Sequence, residues 1–524
     1  MPAKRVLSGL LLYALFAQLA MGQPDRTPAT GSGNLPYMPS WQARHYLQNL
    51  VDEEGLQLTT SHWPLPADAV VRAIDAMRLP ASDVEGRRER EFVLREIRQQ
   101  LGNGELQLDL RTPSEALTGF ADNYTPGTSA QLLSPQFGGG NADGVHFAAR
   151  LGAKVEVNSN SLSSANSGIG TDKSYQLRPE GSAAVVGWGG WNLQVTSQRY
   201  WWGPGWQSSM VNGSNNPAWT GLGLQRATVA PSPSPWLSWM GPWNLDVFVA
   251  KAQDPLVVGN QPQGFTFSGI RLTMRPQPWL ELGFSRGMQA GGAGRPGGVW
   301  EFIKAFFGQE VNQNPGDPPD SSGQIGGFDA RLRCPQVVGQ ALGGSCAAYG
   351  QIMGEDAVGK LPPVPYKFMS LWGLEQTYGH GRYRAFVEYA NSNAYSLPWD
   401  QKPAFPGYVN GVYTQGYTQG ARWVGPAMGS GSKVLTWGWL DAASQVSLRL
   451  HLGTIGTSIG AYDPGTNAPN GRMWGVSVAR TFDYKRMKIT TGLDYLHLGN
   501  GQDTGSNLRS SARVGLTVQV PMIR

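Results

Sequence analysis

The sequence predicts an all-β transmembrane barrel of about 18 antiparallel strands, preceded by a small α-helical bundle. Three observations carry this reading. Gly makes up 70 of the 524 residues, about twice the usual share, and charged residues only 15%, against roughly 25% in ordinary soluble domains. After residue 22 no apolar run approaches the roughly 18–20 residues that a spanning helix needs. From about residue 105 onward apolar residues recur at period two in segments of about 10 residues, as they do in strands with one lipid-facing side. Aromatic residues, at 10%, are too many to leave solvated in a disordered chain. The net charge is +5 and the cations are scattered, which argues against a nucleic-acid partner.

Residues 1–22 read as a secretory signal peptide. Lys4 and Arg5 form its basic start, Val6 to Ala20 its apolar stretch, and Ala20-Met21-Gly22 a small-x-small cleavage site, so the mature chain is expected to begin at Gln23. No Cys follows that site, so a lipoprotein anchor is not expected. Residues 23–39, rich in Pro, Gly, Ser and Thr, read as a linker. Residues 40–103 then carry helical periodicity and the densest charge. Ser40 is the expected cap of a first helix with Ala43, Leu47, Leu50 and Val51 on one face. Trp63-Pro64-Leu65-Pro66 interrupts the chain, and Val70, Ile74 and Met77 mark a second helix. Val93, Leu94, Ile97 and Leu101 mark a third, over 83–101, with Gly102 as its stop. A bundle of roughly 65 residues is marginal alone, so it is expected to dock on the rest from the periplasmic side.

Residues 104–524 are read as the barrel. Val145, Phe147, Ala149, Leu151, Ala153, Val155 and Val157 alternate with residues that include His146, Arg150, Lys154 and Glu156. The same alternation runs through Ile270–Met274, Leu280–Phe284 and Val514–Val520. Read back from the C-terminus, connections alternate long and short: 498–507 against Asp483–Arg486, 459–472 against Leu440–Ser444, 391–433 against Gly379–Arg382, 355–367 against the intermediate Cys334–Cys346 link, and 288–324 against Arg275–Pro278. Long loops on one side and tight turns on the other suit an up-and-down membrane barrel. The 420 residues from Glu105 to Arg524, shared among about 18 strands, leave about 23 for each strand and its connection. An even count puts both barrel ends in the periplasm. The terminal Met522-Ile523-Arg524 lacks the aromatic residue common at the end of such barrels.

Several stretches resemble the Wzi family of outer-membrane capsule-assembly proteins. They are LQNLVDEEGLQLTTSHWPLP at 47–66, RYWWGPGWQSSMVNGSNNP at 199–217, GFDARLR at 327–333, GQIMGED at 350–356 and YTQGYTQGARWVG at 413–425. A Gly-His element of the family near the last motif is replaced here by Gly425-Pro426. The resemblance implies an 18-stranded outer-membrane barrel with a periplasmic helical bundle and an occluded lumen. It also implies a role in holding capsular polysaccharide at the cell surface, as a lectin and not as an enzyme.

Three segments on the long-loop side carry the candidate binding residues. The first holds Arg199, Trp201, Trp202, Trp206, Asn215 and Asn216, with Asn212 beside them. The second holds Glu355 and Asp356. The third, 391–433, holds Tyr413, Tyr417 and Trp423, with Tyr395, Trp399 and Tyr408. Aromatic faces stack on the C–H faces of sugars, while amides, carboxylates and Arg read hydroxyls and acidic groups. The same aromatics also form membrane-interface belts or anchor a plug. Gly203-Pro204-Gly205 is expected to bend the chain and bring Trp202 and Trp206 together at a loop apex. Cys334 and Cys346, an isolated pair in an exported chain, are read as a disulfide. The six His are dispersed, and no nucleophile elbow, metal-ligand spacing or phosphate loop is present, so neither catalysis nor a metal or cofactor is expected. The expected partners are capsular or extracellular polysaccharide, outer-membrane lipid and the polysaccharide export machinery. A passive porin or uptake channel is the competing function, and a barrel enzyme acting on surface glycan or lipid a weaker third.

Overall fold

Period-two alternation requires the two faces of a strand to meet different surroundings. In the computed structural model the faces sort against the usual sense of a soluble protein: Leu222, Phe328 and Val514 point outward and are exposed, while Arg271, Glu281, Asp329 and Arg384 point inward and are buried. The structure describes residues 34–522 except 113, 126, 141–144, 159–173, 253–263, 293–295, 308–321, 359–363, 397–404, 410–412, 414–415, 421, 457–470 and 500–510. The signal peptide, residues 23–33 of the expected linker and Trp399 therefore lie outside the described residues.

Of the described strands, 22 segments assemble into one antiparallel sheet, and the remaining short ones pair in three two-stranded sheets. Sequence neighbours pair with sequence neighbours, from Trp191–Gln198 against Trp219–Arg226 through to Met487–Leu498 against Ser511–Pro521. Ser511–Pro521 in turn pairs with Glu105–Arg111, in the register Pro521↔Glu105 to Gly515↔Arg111. The Val145–Val157 alternation occupies two consecutive segments, His146–Arg150 and Gly152–Asn158, interrupted at Leu151. Glu355 and Asp356 lie within the Cys346–Val358 strand and not in a loop, which corrects the expected long 355–367 connection. A second correction concerns the strict alternation of connections: the 227–242 link, on the short-turn side, is long and carries a 3-10 turn, Ser238–Met240. Cys334 and Cys346 are disulfide-bonded, with Cα atoms 5.3 Å apart.

The N-terminal helices are Trp41–Asp52, Ala67–Ala76 and Val84–Gly102. Ser40 caps the first by accepting from Ala43 N at 3.1 Å, and Asp83 caps the third by accepting from Gly86 N at 2.9 Å. Tyr37 Oη donates to Glu96 of the third helix at 2.8 Å, which ties the chain entry to the bundle. Leu47, Leu50, Trp63, Val70, Ile74, Val93 and Ile97 share one apolar cluster. The bundle sits against the short turns: His45 Nε2 meets Gly381 O at 2.6 Å and Arg275 donates to Leu56 O and Val51 O, each at 3.0 Å. Gly381 has φ +74°, and a Cβ there would stand 2.8 Å from Glu89 Oε1, so the turn can tuck under the bundle only as Gly.

Candidate functional site

The described residues of the connections 112–127, 199–218 and 405–432, all on the long-loop side, fold inward and interlock. Arg422 donates to Glu115 at 3.0 and 2.9 Å and to Asn215 O at 2.8 Å. Asn215 Nδ2 donates to Trp423 O at 3.0 Å, and Gly213 N to Val424 O at 2.8 Å. Arg199 donates to Asp122 O at 2.8 Å and lies 3.4 Å from Glu180. Burial pushes the Asp122 carboxyl up, but Arg449 beside it, at 2.8 Å, draws it below the usual carboxylate range.

The inward-folded segments meet the bundle from the other end. Trp201 pairs in register with Trp63, and Gly203 N donates to Ser61 O at 2.9 Å. Alternation along that two-residue strand sends the neighbouring indoles apart. Trp201 joins the bundle's apolar cluster, and Trp202 joins Tyr200 and Phe248 in the second cluster. Trp206 Nε1 donates to Glu375 Oε2 at 2.6 Å, and the guanidiniums of Arg44 and Arg384 pack on its ring, 4.2 and 4.8 Å from its centre. Arg44 donates to Pro204 O and Gly205 O, each at 2.8 Å, and burial lowers its guanidinium to about 10, so it stays charged at neutral pH. The Gly-Pro-Gly bend is present, and a Cβ at Gly205 would stand 2.2 Å from Ser208 O.

The bend does not make an exposed apex, and the expectation of one for Trp202 and Trp206 is corrected here: the two indoles are 0% and 4% exposed. The reason is that the interior supplies partners for much of the segment's backbone, although Trp202 Nε1 and the Asn212 amide have none among the described residues. Glu388 accepts from Trp206 N at 2.8 Å, and Gln351 Oε1 accepts from Met210 N at 2.8 Å. Inward folding therefore buries the indoles without stranding the backbone.

Asn216 is buried and donates to Pro217 O at 2.8 Å. Tyr413 Oη donates to Gly291 O at 3.0 Å, and Tyr417 stacks on Tyr408 with centroids 6.0 Å apart. Trp423 is tilted against Tyr408 at 6.5 Å. Burial raises the Tyr408 and Tyr417 hydroxyls well above the usual range, so both stay un-ionised. Glu355 Oε1 accepts from Tyr408 N, which brings the second and third segments together. Asp356 pairs through its backbone with Tyr366, and its side chain lies outside the described residues.

Glu115, Phe120 and Asp122 were missed as site residues. The signal available was a long connection without period two that carries two acids, Glu115 and Asp122, and two aromatics, Phe120 and Tyr124, between the first two strands. Arg44 was missed because it sits in a helix whose apolar face alone was read. A concavity of about 40 Å³ at the long-loop end is lined by Gln289, Glu355, Phe405, Tyr408 and Tyr417 among others. Two larger cavities, of about 270 and 520 Å³, share Ser40, Gln100, Glu105 and Gln519 and separate the third helix from the sheet at the short-turn end.

A large antiparallel sheet, apolar outside and charged within, its interior filled by its own helices and loops, is the class these features define. Within that class the chain belongs to the capsule assembly protein Wzi family, which its residues 127–504 match. It is 30% identical over 349 residues to an uncharacterized 55.8 kDa protein in the cps region of Klebsiella pneumoniae; the alignment takes in 65% of this chain and 61% of that protein, so the chain spans about three fifths of that relative's length. Its fold is similar to that of Wzi from Escherichia coli, an outer membrane protein involved in group 1 capsule assembly and a carbohydrate-binding β-barrel. The TM-score is 0.71 at 21% identity, over 93% of this chain and 99% of that one.

Proposed function

We propose that this chain is an outer-membrane barrel that binds capsular or extracellular polysaccharide at its long-loop end and helps attach or assemble it at the cell surface. Pairing of Ser511–Pro521 with Glu105–Arg111 supports closure of the sheet. Taking the three interrupted strand pairs as single strands, and leaving aside the short Phe405–Pro406 segment, about 18 strands line the barrel. The helical bundle docks at the end with the short turns, which in such barrels faces the periplasm. The chain acts as a lectin and not as an enzyme, and the export machinery delivers its polymer.

The observation that carries this reading over a porin is the filled interior, with Trp206 packed against Arg44 and Arg384 at the meeting of bundle and loops. A porin needs a continuous aqueous path. Arg199, Trp201, Trp202, Trp206, Asn215, Asn216, Glu355, Asp356, Tyr413, Tyr417 and Trp423 then serve the polymer as the floor of the site, fixing the loops that contact it. Planar-bilayer recording of the full chain tests this. No stable pore-sized conductance is expected, and a stable open conductance would replace the lectin reading with the channel.

A further inference from the structure

The connection between the Leu280–Ala290 and Ser322–Arg333 strands carries a helix, Val299–Phe306, that lies on the outside of the sheet. Strand parity places it there. Glu281 and Ser285 point inward, so Arg286, Met288 and Ala290 point outward, as do Ser268 and Ser322, their partners across the ladder. Outward positions lower on the same wall are open, with Phe328 60% exposed, yet Ser268, Met288, Ala290 and Ser322 are all under 9%. The helix accounts for that cover: Phe302, Ala305 and Phe306 pack on Met288 and Ala290.

Two further features say what surrounds the helix. Arg286 is a cation on the outward wall, where a bare guanidinium is costly in lipid. It donates to Ala305 O at 2.9 Å, to Phe306 O and, through Nε, to Gln324 Oε1 at 3.1 Å. The first two are last-turn carbonyls, which lack helical partners and carry partial negative charge. The helix thus satisfies the one outward arginine it covers. Its other side is also apolar: Val299 is 78% exposed, Trp300 66%, and Phe307, just past its end, 62%. Its only charges, Glu301 and Lys304, pair with each other at 3.2 Å. A short amphipathic helix whose apolar residues flank one paired set of charges suits the membrane interface, where the charges stay at headgroup level. Its exposed side continues the outward apolar wall, on which Phe284 and Phe328 pack 5.5 Å apart.

We propose that Val299–Phe306 is a lipid anchor, seated at the acyl–headgroup boundary of the leaflet on the long-loop side, with Trp300 at the interfacial depth that indoles prefer. This rests on the outer-membrane reading above and adds a membrane contact made by a loop and not by a strand.

The test attaches an environment-sensitive thiol dye to the full chain in phosphatidylcholine vesicles doped with lipid spin-labelled at the headgroup or deep in the acyl chain. Sites are Trp300→Cys and Val299→Cys, with Leu222→Cys on the outward wall and Glu85→Cys on an exposed face of the bundle as references; the native cysteines are bonded to each other. The proposal expects blue-shifted emission at 299 and 300, quenched at least twofold more by the headgroup label than by the deep label, with the reverse preference at 222 and no quenching at 85. Quenching at 222 with 299 and 300 behaving like 85 overturns the anchor and leaves the barrel standing. No quenching at 222 overturns both. A blue shift at 300 that is unquenched and vanishes on dilution assigns the face to a second copy of the chain and overturns the lipid contact.

Discussion

Asp52, at the end of the first helix, and Arg331, on the sheet wall, form a two-point ion pair at 2.8 and 2.6 Å with both side chains almost wholly buried. The same guanidinium donates through Nε to Glu375 at 2.6 Å. Glu375 also accepts from Trp206 and Arg384, and Arg384 donates to Asn49 Oδ1 at 3.0 Å. One carboxylate pair and two arginines therefore link the bundle, the sheet and the inward-folded 199–218 segment.

Asp52→Ala leaves Arg331 buried with Glu375 alone. Removing one partner of a buried pair costs about 3–5 kcal/mol, and here the loss falls on bundle docking. The expected outcome is a sheet that stays folded and heat-resistant on a gel, while trypsin cleaves within 40–103 at least tenfold faster than in the wild type. Unchanged cleavage would mean that the apolar contacts alone hold the bundle.

Docking carries two opposed pH dependences. His45 accepts from Arg384 Nε at Nδ1 and meets Gly381 O at Nε2, an arrangement for the neutral ring; burial, with Arg384 adding to it, pushes its pKa down to about 3. Once released the ring returns to about 6.5, so the released state binds the extra proton and docking weakens as pH falls from there towards 3. Burial pushes Glu89 up to about 8 despite its bond from Asn49. The docked state then holds the extra proton, and docking weakens as pH rises from about 4.5 towards 8, at about 1.4 kcal/mol per unit. The slopes cancel between about 4.5 and 6.5. Protease protection of the bundle should therefore plateau there and fall on both sides, and Glu89→Gln should flatten the alkaline limb and extend the acid limb up to about pH 6.5, where His45 alone then acts. An alkaline limb that survives in this variant contradicts the assignment.

Trp202→Ala with Trp206→Ala tests whether these indoles seal or bind. Each truncation of a buried Trp costs about 3–5 kcal/mol, and Trp206 also carries the cation–π contacts of two buried guanidiniums. The assembled variant is expected to conduct ions in planar bilayers, with polymer retention reduced through the loosened loops. A variant as tightly sealed as the wild type that nonetheless loses the polymer would place the indoles at the sugar.

The wall was legible because alternation is a local property. Phe147 and Leu151 face out and Lys154 and Glu156 face in, as their spacing alone implies. The interior was not. Trp206, Asn215 and Trp423 are the residue types of a sugar-binding loop, and also those of a buried, hydrogen-bonded plug. What decides between the two is the set of remote partners, Arg44, Glu375 and Arg422, which no spacing reports. Glu355 and Asp356 misled because their acidity and the nearby Pro-rich stretch resemble a loop, whereas ladder pairing carries the strand past them to Val358. The outer helix is too short to read from periodicity, since it spans only Val299–Phe306.

The central claim is that this family member holds surface polysaccharide at its long-loop end while its interior stays filled. It is tested most directly by co-sedimenting vesicles that carry the full chain with the capsular polysaccharide of the producing strain. The account predicts saturable retention of the polymer, abolished by excess free polymer of the same kind and absent from empty vesicles. Retention no greater than that of empty vesicles, across the whole range of polymer concentration, would contradict it.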